Sequence, residues 1–210
     1  MDAKYIVIEG PIGVGKTSLA QLLAKELNAR LFFERVKDNP FLARFYQDRH
    51  QFAFQTQIFF LLSRYRQLES LKQQDLFSTI TLSDYFMPKD RIFAALNLQP
   101  DELALYDQIY TLLNPRLPKP DLVIYLQAET DVLMQRIKHR GRDYEKPMEW
   151  DYLAALNQAY NDFFFYYNDS PLLVVQTSEI DFVKSRADLE DLLEKMTQMK
   201  KGIQYYIPRK

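Results

Sequence analysis

Tyr5-Ile6-Val7-Ile8-Glu9-Gly10-Pro11-Ile12-Gly13-Val14-Gly15-Lys16-Thr17-Ser18 is the stretch from which the rest of the chain is read. Residues 5–9 form an apolar, β-branched run that reads as a buried strand. Gly10 to Thr17 spell G-x-x-x-x-G-K-T, and residues 18–25 carry apolar side chains at helical spacing. Strand, glycine turn and helix start in that order aim backbone N–H groups and the positive end of a helix dipole at one point, an anion site. Gly10, Gly13 and Gly15 are three of only five glycines in the chain. The backbone of Gly10, Pro11, Ile12, Gly13, Val14 and Gly15, with Ser18 just beyond, is expected to wrap phosphates. Lys16 is expected to neutralise β/γ-phosphate charge and the Thr17 hydroxyl to ligate Mg²⁺. The pattern implies a nucleoside triphosphate as ligand.

The chain outside the loop sets bounds. Its 210 residues suit one α/β domain spanning 1–210. With 27 Lys and Arg against 28 Asp and Glu, the net charge of −1 gives no global attraction for nucleic acid, although a local basic patch stays open. The absence of cysteine excludes disulfides and thiolate metal sites and accords with a reducing cytoplasm. No apolar stretch is long enough for a membrane span, and Met1-Asp2-Ala3-Lys4 runs straight into the first strand, so no secretory signal is expected.

Five strand-like runs, at 5–9, 30–33, 79–83, 122–126 and 172–176, alternate with helical patterns at about 16–27, 52–74, 101–114, 129–139, 150–167 and 186–199. Continuous apolar strands alternating with helices predict a five-stranded parallel sheet flanked by helices on both faces. Asn39-Pro40 and Lys119-Pro120-Asp121 mark turns. Ligands of such sheets bind beyond the carboxyl ends of the strands, so the residues that end each strand carry the functional reading.

The second strand runs into Glu34, a candidate base for an acceptor hydroxyl or else a solvated loop glutamate. The third ends Ser83-Asp84, where an acid holds Mg²⁺ in phosphate-loop enzymes or simply terminates the strand. Arg136 and Arg140, four apart on one helix face, are followed by Gly141 and Arg142. Such a cluster can clamp a transferring phosphoryl at a lid, or merely complement a helix dipole.

Taken together these residues resemble the deoxynucleoside kinases of the deoxycytidine/deoxyguanosine/deoxyadenosine kinase family, nearest to bacterial members acting on deoxyadenosine or deoxyguanosine. The resemblance runs from Tyr5 to about Asp181. It implies a phosphate-loop nucleoside kinase fold with a short arginine-rich lid at about 138–148, and transfer from ATP to the 5′-hydroxyl of a deoxynucleoside. Glu34 would be the base. Tyr46 and Glu145 would hold the sugar 3′-hydroxyl, Gln57 and Arg64 would read the nucleobase with Asp90 as partner, and Asp84 would stand at the acceptor end. Arg136, Arg140 and Arg142 would bind phosphate, while Asp181 and Phe182 would frame the adenine of ATP. A homodimer is implied as well. The sequence departs from the family in one place: Asp84-Tyr85-Phe86 stands where an arginine usually follows the acid. A tyrosine offers one hydrogen bond and no charge. A lid arginine substitutes for it, the geometry differs, or activity is weak.

Arg64 with Asp90 points to deoxyadenosine, then deoxyguanosine and deoxycytidine, a ranking implied by the resemblance; the same two residues also read as an ordinary ion pair. His50 and His139 lack metal-ligand spacing, Trp150 reads as packing, residues 163–167 as helix core or subunit contact, and 205–208 say nothing about the chemistry. The rival readings are a thymidylate-type monophosphate kinase and a non-catalytic nucleotide-binding subunit.

Overall fold

The computed structural model describes residues 3–72, 80–113, 117–180, 182 and 185–207. Among them, β1 (Tyr5–Glu9), β2 (Arg30–Phe32), β3 (Thr81–Ser83), β4 (Leu122–Gln127), β5 (Leu172–Gln176) and β6 (Ile203–Tyr206) make one sheet in the order β2-β3-β1-β4-β5-β6. Every neighbouring pair is parallel. The chain fills one side of β1 before crossing to the other, and this reversal opens a crevice over the carboxyl ends of the central strands.

Burial explains the strand sequences. Ile6, Val7 and Ile8 on β1 and Val123 and Ile124 on β4 have no exposed surface, because helices cover both faces of the sheet centre. Asp121 sets the start of the β1–β4 pair: its Oδ2 accepts from the backbone N–H of Lys4 (2.8 Å) and Tyr5 (2.9 Å), so the expected turn before β4 is tied to β1. The helices are α1 (Lys16–Leu27), α2 (Leu42–Gln47), α3 (Arg49–Lys72), α4 (Lys89–Asn97), α5 (Pro100–Leu113), α6 (Thr130–Arg140), α7 (Trp150–Phe165) and α8 (Arg186–Gln198). Tyr125 of β4 stacks on Phe164 of α7 with ring centroids 4.1 Å apart, fixing α7 against the sheet beside the crevice.

Three expectations need correction. The sheet has six strands rather than five, because residues 203–206 pair with β5 at the edge. Three of the four side chains of this edge strand are exposed, so it lacks the continuous apolar run by which buried strands are recognised. The helices α2 and α4 were not expected. One has six residues, and the other opens with Lys89 and Asp90, charges that mask its apolar spacing. Trp150 is not packing: it is half exposed, and its indole N–H donates to Asp131 Oδ1 at 2.7 Å. The ends at 74, 79 and 114 of three expected elements lie outside the described residues.

The turn after β1 requires glycine for a steric reason. Gly10 has φ +151°, and a Cβ there would lie 2.5 Å from the Leu126 carbonyl oxygen of β4. Backbone of a central strand cannot yield that space cheaply. Gly10→Ala is therefore expected to lower the free energy of unfolding by about 1–3 kcal/mol, read as a lower urea midpoint with an unchanged slope. An unaltered midpoint would mean that β4 gives way.

Candidate active site

The turn between β1 and α1 is built to receive anions. α1 begins without a side-chain cap and without an acidic residue in its first turn, so its leading N–H groups remain available. Its apex, Gly13, has φ +88°, and a Cβ there would come within 2.8 Å of the Leu133 carbonyl on α6, so the loop lies flat against that helix. Lys16 folds back over the loop, its ammonium donating to the carbonyls of Gly10 (2.6 Å) and Pro11 (3.1 Å). Desolvation lowers the Lys16 pKa to about 8 in spite of the nearby carboxylate of Glu9.

Next to the loop lies a cavity of about 400 Å³ lined by residues that follow β1, β2 and β3 and by others from the helices and the turn after α6, among them Gly13, Lys16, Thr17, Glu34, Tyr46, Gln57, Arg64, Asp84, Lys89, Arg140, Arg142 and Glu145. Asp84, following β3, joins its two halves. Its Oδ2 accepts from the Thr17 hydroxyl (2.7 Å) and its Oδ1 from the backbone N–H of Glu34 (2.9 Å). α3 contributes Gln57, Phe60 and Arg64, spaced so that one helix face looks into the cavity. Gln57 Nε2 donates to the Asp90 carbonyl at 2.8 Å; a carbonyl only accepts, so the amide orientation is fixed.

Below this surface is a chain of buried charges. Arg64 pairs with both Glu34 and Asp90, and Asp90 Oδ2 also accepts from Tyr106 (2.9 Å). Lys89 Nζ lies 2.9 Å from Glu34 Oε2 and 3.3 Å from Glu9 Oε1. Burial opposes the Glu34 charge, but Arg64 and Lys89 outweigh it and hold the carboxyl at about 2. Glu9, with no exposed surface, is pushed upward by burial despite Lys89.

On the opposite wall α6 ends at Gly141 (φ +66°), and a 3₁₀ turn over Asp143–Glu145 follows. Arg140 Nη2 donates to Glu145 Oε1 at 2.7 Å, Arg142 Nη1 donates to the Tyr144 hydroxyl at 2.9 Å, and Tyr144 stacks on Tyr46 with ring centroids 6.0 Å apart. Glu145, which lines the cavity, is thus paired with a lid-side arginine.

Of the residues singled out in the sequence, Lys16, Thr17, Glu34, Tyr46, Gln57, Arg64, Asp84, Arg140, Arg142 and Glu145 meet at the cavity. Asp90 lies beneath it, joined through Arg64. Arg136 does not reach it: its guanidinium donates to the carbonyls of Val14 (3.2 Å), Thr177 (2.7 Å) and Ile180 (3.3 Å), bracing the loop against the end of β5. Phe182 packs partly buried against the core, away from the cavity, and Asp181 lies outside the described residues. Tyr85 is fully buried and stacks on Phe32, and its hydroxyl finds no hydrogen-bond partner among the described residues. Lys89 and Glu9 were missed. A proline followed by Lys-Asp is a helix-start signal that would have placed Lys89 at the head of α4, but nothing in the sequence says that it turns inward.

A triphosphate-type loop beside an acid-floored pocket defines a phosphotransferase of the phosphate-loop class. The deoxynucleoside kinase family model matches residues 6–201, and the chain belongs to that family. It is 38% identical to a deoxyguanosine kinase of Bacillus subtilis (strain 168), over 90% of this chain and 93% of that protein. It is 30% identical to a deoxyadenosine kinase of Lactobacillus acidophilus (strain ATCC 700396 / NCK56 / N2 / NCFM), over 93% and 95%. A deoxyadenosine kinase from M. mycoides solved with bound dCTP superposes with TM-score 0.80 at 28% identity, covering 92% of this chain and 99% of that one.

The charge chain has a consequence for stability. The Glu34 pKa in the folded protein lies below its ordinary value of about 4.5, so its contribution is fully present above that value and is lost as pH falls towards 2. The urea midpoint of the wild type relative to Glu34→Gln should therefore shrink steadily between pH 5 and pH 2. A pH-independent difference would refute the assignment of this shift to Glu34.

Proposed function

We propose that the protein transfers the γ-phosphoryl of ATP to the 5′-hydroxyl of a purine deoxynucleoside, giving the monophosphate. The observation that carries the reading is Glu34: a carboxylate inside the cavity, tied by its own backbone through Asp84 to Thr17 of the phosphate loop. In this reading the loop backbone of residues 10–15, with Lys16, Thr17 and Ser18, holds the triphosphate. Glu34 accepts the hydroxyl proton, Tyr46 and Glu145 hold the sugar, and Gln57 with Arg64 faces the base over Asp90.

The residues present fit a magnesium ion. Thr17 Oγ1 and Asp84 Oδ2 lie 2.7 Å apart, close to the edge of an octahedron with bonds of about 2.0–2.1 Å. Two protein oxygens, with phosphate and water completing the shell, suit that ion. When bound it would supply neutralisation of the β/γ-phosphate charge. Arg140 and Arg142 would leave Glu145 and Tyr144 to meet the transferring group as the lid at 138–148 closes. Arg136 would serve by bracing the loop, and Phe182 with Asp181 would border the adenine.

Turnover of deoxyadenosine and deoxyguanosine, with no transfer to dAMP, is the expected result when each is offered with ATP–Mg²⁺. Conversion of dAMP with both nucleosides untouched would replace this reading by a monophosphate kinase, and retained ATP binding without transfer would leave a nucleotide-binding subunit. Glu34→Gln should lower kcat by about 10²–10⁴-fold with ATP affinity largely kept, and wild-type turnover in that variant would remove the base from the scheme.

The proposal includes a cytoplasmic setting, where ATP is supplied, and a homodimer. No described helix is long and apolar enough to cross a membrane. Leu105 and Leu112 on α5, and Phe165 with Tyr166 at the end of α7, are exposed apolar side chains that pairing would cover. Sedimentation equilibrium at micromolar protein should return twice the 25.0 kDa chain mass, and a monomer mass would overturn the dimer.

A further inference from the structure

Lys89 is a buried cation for which the phosphoryl-transfer scheme above has no role. It lines the cavity, it is almost wholly buried, and its ammonium bridges Glu34 Oε2 (2.9 Å) and Glu9 Oε1 (3.3 Å). The two acids stand at different ends of the reaction. Glu34 faces the acceptor, while Glu9 ends β1, immediately before the phosphate loop, where its Oε2 accepts from the Gly10 N–H (2.8 Å) and the Tyr160 hydroxyl (3.3 Å). Lys89 is thus shared between the acceptor carboxylate and the root of the loop.

The lone pairs of Glu34 show where an acceptor hydroxyl can bind. An ionised carboxylate offers about four acceptor sites, two on each oxygen. Oε1 takes two N–H groups of Arg64, from Nε (2.8 Å) and Nη2, and Oε2 takes Lys89. The remaining site is on Oε2, the oxygen that Lys89 itself holds. A hydroxyl donating there lies beside the ammonium, and so does the phosphoryl that becomes bonded to it. Tyr85 brings no charge to this point.

We propose that Lys89 positions Glu34 so that Oε2 receives the acceptor hydroxyl, and supplies there the positive charge that the neutral Tyr85 does not. This rests on the kinase reading of the cavity. The balance of the step is simple: the hydroxyl O–H bond breaks, its proton passes to Glu34 Oε2, the oxygen bonds to the γ-phosphorus, and ADP leaves. Lys89 donates hydrogen bonds throughout and keeps its protons. Burial works against its charge, but Glu34 and Glu9 together hold its pKa above the ordinary range, so the ammonium persists at neutral pH. Arg64 is poorly suited to this duty because its fork is divided between Glu34 and Asp90.

Lys89→Met should fall in kcat by about 100-fold or more, the scale seen when one preorganised donor to a developing charge is lost, while KM for ATP changes little. Lys89→Arg should recover most of that loss. The acid limb of the kcat/KM profile should move to higher pH in Lys89→Met, because Glu34 loses one of its two cations; a purely structural lysine would leave it in place. A second measurement needs no substitution. In wild-type protein with ¹⁵N-labelled lysine, 2′-deoxyadenosine should shift the Lys89 Nζ resonance, and 2′,5′-dideoxyadenosine, which lacks the acceptor hydroxyl, should not. Near wild-type kcat with an unmoved pH profile in a folded Lys89→Met, or equal Nζ shifts with both nucleosides, would overturn the inference while wild-type turnover keeps the kinase reading intact. Absence of wild-type turnover on any deoxynucleoside would overturn both.

Discussion

Three carboxylates, those of Glu9, Glu34 and Asp90, are gathered under one cleft with little contact with water, and the rest of the site is arranged around the two cations, Arg64 and Lys89, that pair with them. An unpaired buried carboxylate is costly enough that it protonates instead. Arg64 and Lys89 prevent this unequally. Glu34, gripped from both sides, stays ionised far below neutrality, whereas Glu9 shares a single lysine and is driven upward by burial. Two acids about one ammonium apart thereby acquire opposite tendencies. The same pairing fixes the orientation of Glu34, because both its oxygens are held.

The cations facing the cavity from the lid side are at rest on local partners. Arg140 sits on Glu145 and Arg142 on Tyr144, whose ring is stacked on Tyr46. These contacts keep guanidinium groups close to the phosphate loop without filling it. In the proposed reaction a triphosphate would offer a stronger partner than a single carboxylate, so binding would exchange one set of charge-assisted hydrogen bonds for another instead of creating them from solvated side chains. Arg136 belongs to a different task. Spent on carbonyls of the loop and of the β5 end, it keeps the anion cradle in register with the sheet.

Much of this was legible in the sequence where local chemistry governs. The phosphate loop, the central strands and the two acids at strand ends follow from glycine spacing, continuous apolar runs and the position of charge at their ends. β6 escaped because an exposed edge strand carries no burial signal, and α4 because its first turn is charged. Arg136 and Arg140 share a helix face and looked equivalent, yet one braces the loop and the other faces the cavity. Periodicity places a side chain on a face but not at a partner. Tyr85, which is buried against Phe32 and does not line the cavity, drew notice as a missing charge, while the lysine four residues further on, which does line it, did not.

By itself the sequence determined the parallel α/β architecture, the triphosphate-type loop and the presence of an acid facing it, because each depends on residue type at short spacing. Only the tertiary structure decided which cations serve which acids. Arg64, Lys89, Glu9, Glu34 and Asp90 come from four segments spread over eighty residues of chain, and their pairing is set by burial and by separations of a few ångströms that no spacing along the chain records.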